Sequence, residues 1–348
     1  MKGRVLVLDE IGGRQAAALM VDGQLEELAL DPLDDVALPG AIYRAVADRP
    51  VKGQGGIFVK LPGGSGFLRQ ISGVAPGQRL LVQVTGPAEA GKAVPVTTRL
   101  LFKSRFAIVT PDAPGLNISR RIKDEALRAA LATLAKAGMA GADAALGLIL
   151  RSASEGAEDQ TVAEDIAAVR GLAEAVLADT TGGPELLVDG PSAHDLAWRD
   201  WLDQGVDEVD EDPGSFDRHG VSEAVEALCS PRVALEAGAS MLIEPTKALV
   251  AVDVNTGPDT SPAASLKANV AAARDLPRQL RLRGLGGQVV VDFAPMPKRE
   301  RHILDQVLKA AFKTEGETNL AGWTTLGLYE MTRKRDRLPL AELLPGGL

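Results

Sequence analysis

Apolar residues recur at every second position over the first hundred residues and at every third or fourth position in longer runs after that. Residues 1–38 read as short strands broken at Gly12-Gly13 and Asp22-Gly23, the spacing of hairpin turns. Between 39 and 101 five β-rich runs, AIYRAV (41–46), GGIFVKL (55–61), GFLRQI (66–71), RLLVQVT (79–85) and VPVTTRLLF (94–102), are separated by Gly/Pro turns, and this predicts a small barrel of the OB type. From 102 to about 195 the period alternates. FAIVT (106–110) and LGLILRSA (146–153) read as strands, while DEALRAALATLAKAG (124–138) and AEDIAAVRGLAEAVLA (163–178) read as amphipathic helices. Beyond the acidic stretch 203–217, SEAVEALC (222–229) is helical and the rest is again mixed α/β.

Two of the later apolar runs end alike. VAVDVNTG (250–257) closes with Asp253 and Asn255, and GGQVVVDFAPM (286–296) closes its β-branched run with Asp292. If the two strands are neighbours, both carboxylates lie at one sheet edge, which suits a hard divalent cation such as Mg²⁺. Asn255, two residues on and on the same strand face, is placed to orient the Asp253 carboxylate. A single strand-end Asp is an ordinary turn former, so the pairing carries the expectation.

Composition narrows the setting. No apolar stretch reaches the roughly 20 residues needed to span a bilayer, and MKGRVLVLDEIGG lacks the apolar core and cleavage site of a signal peptide, so a cytoplasmic protein is expected. Cys229 is the only cysteine, which excludes internal disulfides and a multi-cysteine zinc site. The net charge of −9 argues against a protein that coats nucleic acid, yet basic residues gather in KSRF (103–106), SRRIK (119–123), RQLRLR (278–283), KRER (298–301) and TRKRDR (332–337), a pattern that favours a polyanionic partner. Two other motifs fail. GPAEAGKA (86–93) has Ala93 in place of the magnesium-binding hydroxyl and is followed by a strand, so it reads as a hairpin turn. DVNTGPDTSPAA has Pro258 and Ala264 where a calcium loop needs glycine and glutamate.

SRRI (119–122), GLILRSASEG (147–156), AVDVNTG (251–257), NVAAARDLPRQLRLRGLGGQVVVDF (269–293) and GLYEMTRKR (327–335) stand in the order found in the catalytic half of the ribonuclease E/G family, and the chain resembles that family over almost its whole length. The resemblance implies an endoribonuclease that cuts single-stranded RNA in RNA processing or decay with Mg²⁺, or Mn²⁺ in its place, leaving 5′-phosphate ends. It places the metal-binding aspartates at Asp253 and Asp292 and the supporting asparagine at Asn255. It also implies an S1-type barrel that binds RNA through Phe58, Phe67 and Lys92, and a 5′-phosphate pocket at Arg151 and Ser152. The implied layout is an α/β multi-subdomain chain: an RNase H-like subdomain (1–38 with 193–228), the inserted OB-fold barrel (39–101), a 5′-sensor region (102–192) and a DNase I-like catalytic subdomain (229–348).

The departures from the family are specific. The paired cysteines that share a zinc between two chains are absent, so no structural zinc and no zinc-linked tetramer are expected, and a homodimer stays open. Ala294, Pro295 and Met296 replace a second acidic residue after Asp292, Pro277 is expected to interrupt the helix before RQLRLR, and an acidic position after Phe58 has become Lys60. The competing reading is an RNA-binding protein of the same fold with reduced or lost cleavage. Retention of Asp253, Asn255 and Asp292 stands against it.

Overall fold

The structure is a computed structural model that describes residues 3–33, 36–51, 55–69, 73–89 and 91–346, with Gln204 described by its backbone alone. Gln70 and Ile71, the end of the third expected barrel strand, lie outside the described residues. The fold is mixed α/β and divides into two compact units, Met1–Leu33 with Asp207–Leu348, and Asp34–Val206. Among the described residues no helix is long and apolar enough to cross a membrane.

The first unit holds two sheets. Arg4–Ile11, Arg14–Val21 and Gln24–Leu30 form an antiparallel meander, and Glu208–Asp210 joins its edge parallel to Arg4–Ile11. Gly12-Gly13 and Asp22-Gly23 make the two-residue turns, all four with positive φ, as this hairpin type requires. Helices Ser215–Arg218 and Val221–Cys229 accompany this sheet, and Phe216, Val221 and Val225 share its core with Val5, Val7 and Met20.

The second sheet has the order Arg232–Ala234, Ser240–Pro245, Val250–Asn255, Gly287–Asp292, Tyr329–Arg333, Thr318–Trp323. Its one parallel pair, Val250–Asn255 with Gly287–Asp292, is joined by the helix Pro262–Leu282, capped at Ser261, whose hydroxyl accepts from Ala264 N–H at 3.2 Å. That helix and Arg301–Ala311 share a core with the sheet in which Leu276, Leu280, Leu304 and Leu308 meet Val252, Val254, Val289 and Val291. The expected break at Pro277 does not occur, because the helix runs through it without interruption. A proline there removes one i→i−4 bond. Leu276, Pro277 and Leu280 are all buried, and the apolar burial of this face outweighs the missing bond.

In the second unit the five expected runs close into a barrel. Ile42–Val51, Gly56–Leu61, Gly64–Arg69, Val94–Thr97 and Arg79–Val84 pair in that order, and the last returns to Ile42–Val51. Every contact is antiparallel except that between Gly64–Arg69 and Val94–Thr97, an arrangement consistent with the OB type. Ala45, Ile57, Val59, Leu68, Val82 and Val96 fill it. Phe102 ends the fifth run but belongs to the neighbouring sheet, ordered Gly115–Ile118, Gly147–Leu150, Ala107–Thr110, Phe102–Lys103. Helices Glu125–Gly138 and Asp159–Ala178 share this sheet's core through Leu131, Ile166 and Val169.

Candidate functional site

A strand, a crossover helix and a parallel strand bring two strand C-termini to the same edge, where open α/β sheets bind their ligands. Here the register sets Asp253 directly beside Asp292, with the two backbones about 4.8 Å apart as in any sheet. Strand alternation turns both outward: Val252, Val254 and Val291 are buried in the helix-covered core, while Asp253, Asn255 and Asp292 are exposed. Asn255 Nδ2 donates to Asp253 Oδ2 at 2.8 Å, so the carboxamide holds one carboxylate in place. Gly257 then turns the chain toward the helix with φ of +78°. A Cβ there would stand 2.4 Å from the Gly238 carbonyl oxygen, so only glycine fits this turn.

Like charges on adjacent strands repel unless a cation intervenes. Among the described residues no ion pair engages Asp253 or Asp292, and no group of three or more His, Cys, Asp or Glu is gathered to hold a metal. The donor set is thus two open carboxylates with an amide behind one of them. That fits a strongly hydrated divalent cation, which needs only one or two protein carboxylates. Behind the site Phe293 is buried against Trp323 and Tyr329, with ring centroids at 5.8 and 6.3 Å, and Trp323 Nε1 donates to Asp305 at 2.9 Å.

The barrel carries the second candidate surface. Phe58 and Phe67 face each other across adjacent strands with centroids 5.2 Å apart and planes tilted by 52°. Their neighbours Ile57, Val59 and Leu68 fill the interior, so the two half-buried rings lie on the outer wall. Gly56 makes the room: a Cβ there would come within 2.5 Å of the Phe67 ring. The Arg49 guanidinium lies 5.6 Å from the Phe58 centroid, and Pro95 pairs alongside Phe67. Lys60 and Arg69 occupy the same outward rows and are exposed, with the Lys60 ammonium 3.9 Å from the Asp48 carboxylate. Lys92 sits in the hairpin loop before Val94–Thr97, where its ammonium pairs with Glu89 at 2.7 Å. The sequence reading passed over Arg49, Arg69 and Pro95; their positions follow from strand register, which the sequence does not display.

Arg151, the residue expected to read a 5′-phosphate, is engaged within its own unit. Its Nη1 donates to the carbonyls of Ser104, Arg105 and Arg199 at 2.7, 3.1 and 3.0 Å, and its Nη2 donates to Asp200 Oδ1 at 2.7 Å. Only 16% of the side chain is exposed, so the guanidinium ties the strand end to the helix Ala193–Asp200. A phosphate reaching Arg151 would share its guanidinium with Asp200. Burial pushes the Asp200 pKa upward, but the hydrogen bonds and charges of Arg199 and Lys103 outweigh that and hold it at about 2. Ser152 opens the short 3-10 turn that follows Arg151. A cavity of about 350 Å³ in this unit, rimmed by Asp112, Asp143 and Glu174, contains none of the expected site residues.

Several of the basic clusters are also scaffold rather than free charge. Arg281 pairs with Glu26, Glu27 and Glu315. Arg283 and Arg333 are buried and donate to the carbonyls of Ser230 and Leu285, and Arg337 pairs with Glu27 at 2.7 Å. For RQLRLR and TRKRDR the polyanion reading therefore gives way to internal ion pairing.

An OB-type barrel and a mixed sheet with an open carboxylate pair define the class of architecture. The ribonuclease E/G family model matches residues 102–214 and 209–336, well over half of the chain, and the chain belongs to that family. It is 29% identical to a ribonuclease E of Nostoc sp. over 94% of this chain and 56% of that protein. To ribonuclease G of Haemophilus influenzae and of Escherichia coli K12 it is 28% identical over 78% of this chain and 62% of each of those proteins. The chain thus spans a little over half of the length of these relatives.

Proposed function

We propose that this protein is an Mg²⁺-dependent endoribonuclease that cleaves single-stranded RNA in RNA processing or decay, by metal-assisted phosphodiester hydrolysis that leaves 5′-phosphate ends. The observation that carries the reading is the register of Asp253 against Asp292 on an exposed sheet face, with Asn255 bonded to Asp253. Membership of the ribonuclease E/G family supports it. Asp253 and Asp292 would hold the cation. A bound Mg²⁺, or Mn²⁺ in its place, would supply Lewis-acid polarisation of the phosphodiester, stabilise the charge that develops on it and favour loss of a proton from the attacking water. Asn255 fixes the rotamer of Asp253, and the barrel holds the RNA by stacking bases on Phe58 and Phe67 while nearby cations contact phosphates. Lys92 joins that surface once its ammonium exchanges Glu89 for a phosphate.

In this reading the four-stranded sheet of the first unit corresponds to the RNase H-like subdomain, the six-stranded sheet to the DNase I-like catalytic subdomain, and residues 102–192 to the sensor region. A 5′-phosphate bound at Arg151 and Ser152 would share the Arg151 guanidinium with Asp200. The test uses purified protein and a 5′-labelled single-stranded RNA with and without Mg²⁺, and determines the product ends. Asp253→Asn and Asp292→Asn are expected to abolish cleavage while RNA binding persists. Cleavage by either variant within a few-fold of wild type, or cleavage undiminished by chelation, refutes the metal assignment.

A further inference from the structure

Asn269 lies in the third turn of the helix that links the two aspartate-bearing strands, and it is completely buried. Its Oδ1 accepts from the Ala294 N–H at 2.9 Å and its Nδ2 donates to the Ala294 carbonyl at 2.9 Å, with the Met296 sulfur 3.5 Å from the same nitrogen. One carboxamide therefore satisfies both backbone groups of a single buried residue, two positions past Asp292. Left unpaired, each of those groups would carry the penalty of a buried polar atom.

The local sequence makes this contact decisive for the path of the chain. Pairing of Gly287–Asp292 with its parallel neighbour ends at Asp292. Ala294 has no polar side chain and Pro295 no N–H, so neither can anchor the segment by itself. Only a carboxamide offers one donor and one acceptor side by side in the geometry of a backbone bridge. The other anchor, Phe293, is apolar and sets depth rather than direction.

We infer that Asn269 is a positioning residue: by clamping the backbone of Ala294 it fixes where the Asp292 carboxylate stands relative to Asp253. This rests on the metal reading of the aspartate pair. Groups hydrogen-bonded directly to a metal ligand contribute about ten- to hundredfold to metal affinity or activity, and Asn269, which acts one step further out through the backbone of Ala294, is expected at the lower end of that range.

The test compares wild type with Asn269→Ala, with Asn269→Leu, which keeps most of the volume, and with Leu280→Ala. Leu280 is fully buried in the same helix, so the last variant removes core packing and none of the Ala294 bonds. Mn²⁺ binding to the intact protein is followed by electron paramagnetic resonance, alongside the Mg²⁺ midpoint for cleavage, kcat and KM, and the melting temperature. Both Asn269 variants are expected to weaken Mn²⁺ binding and raise the Mg²⁺ midpoint by about tenfold or more, and to lower kcat at an RNA KM within about twofold of wild type. Leu280→Ala is expected to lower the melting temperature and leave Mn²⁺ binding in place. Wild-type Mn²⁺ affinity in whichever Asn269 variant folds, with only a melting shift like that of Leu280→Ala, would overturn the proposal. Asp292→Asn, measured in parallel, separates the two failures: if it still binds Mn²⁺ and cleaves RNA, the metal reading itself falls.

Discussion

Arg151→Ala separates a scaffold arginine from a phosphate-reading one. The substitution removes the donor of three carbonyls, those of Ser104, Arg105 and Arg199, and one partner of Asp200. Asp200 keeps Lys103 at 3.0 Å and Arg199 at 2.8 Å, so no buried charge is stranded and the larger cost of a broken buried pair does not arise. What remains is the loss of charge-assisted hydrogen bonds, worth about 1.5 to 3 kcal/mol each in favourable cases. Three of them share one nitrogen, and water reaches part of the gap, so the expected total is about 2 to 4 kcal/mol. For a unit of this size 1 kcal/mol moves the melting temperature by roughly 2 to 4 °C, which predicts a fall of about 5 to 15 °C in the transition of the second unit. Differential scanning calorimetry measures that shift, and cleavage of 5′-monophosphorylated against 5′-hydroxyl RNA measures end preference. The structure predicts a large thermal loss and little change in the ratio of the two rates. A shift below about 2 °C together with loss of a clear wild-type preference for the monophosphate would show that Arg151 reads the RNA end after all.

Phe67→Ala is expected to weaken single-stranded RNA binding by about 1 to 3 kcal/mol with little change in melting, because the ring is half-exposed on the barrel wall; a sharp melting drop at unchanged affinity would make it a core residue. If Arg49, Lys60 and Arg69 supply the phosphate contacts, the slope of log K against log salt should be close to −2, and a slope steeper than about −4 would mean that other cations carry the binding. Asp200, lowered from an ordinary 3.8 to about 2, contributes stability that is present above pH 4 and lost as the pH falls toward 2, an effect of roughly 2 kcal/mol. Asp200→Asn should flatten that acid limb, and an unchanged unfolding profile between pH 5 and 2 would refute the assignment.

The barrel was legible because most of its strands are short, β-rich runs with Gly or Pro close by, so local sequence and global fold agree there. The carboxylate pair was half legible. Two apolar runs ending in Asp announce two strand ends, but their adjacency depends on a parallel crossover through a 21-residue helix, a tertiary fact that the resemblance supplied and the register then displayed. Pro277 misled because a proline inside a helix is judged by its missing bond, and the compensating burial of Leu276 and Leu280 comes from a sheet elsewhere in the sequence. Asn269 left no signal at all. It reads as one polar residue in an amphipathic helix, and its partner is a backbone group 25 residues away.

The arginines expose the limit most clearly. RQLRLR and TRKRDR were weighed as polyanion sites because charge is visible in a sequence and its neutralisation is not. The carboxylates that neutralise Arg281 sit at positions 26, 27 and 315. Such partners decide the role: a guanidinium held by buried carbonyls and carboxylates gives up scaffold bonds to reach phosphate, whereas Arg49, stacked over Phe58 on the barrel wall, gives up none that the described residues record. An acidic chain can therefore bind RNA without a basic surface, provided that the few uncommitted cations stand beside stacking rings. The outward rows of Phe58 and Phe67, with Arg49 over Phe58 and Arg69 beside Phe67, have that composition, while Lys60 pairs with Asp48 at 3.9 Å, and the affinity of this surface should come more from ring contact than from charge.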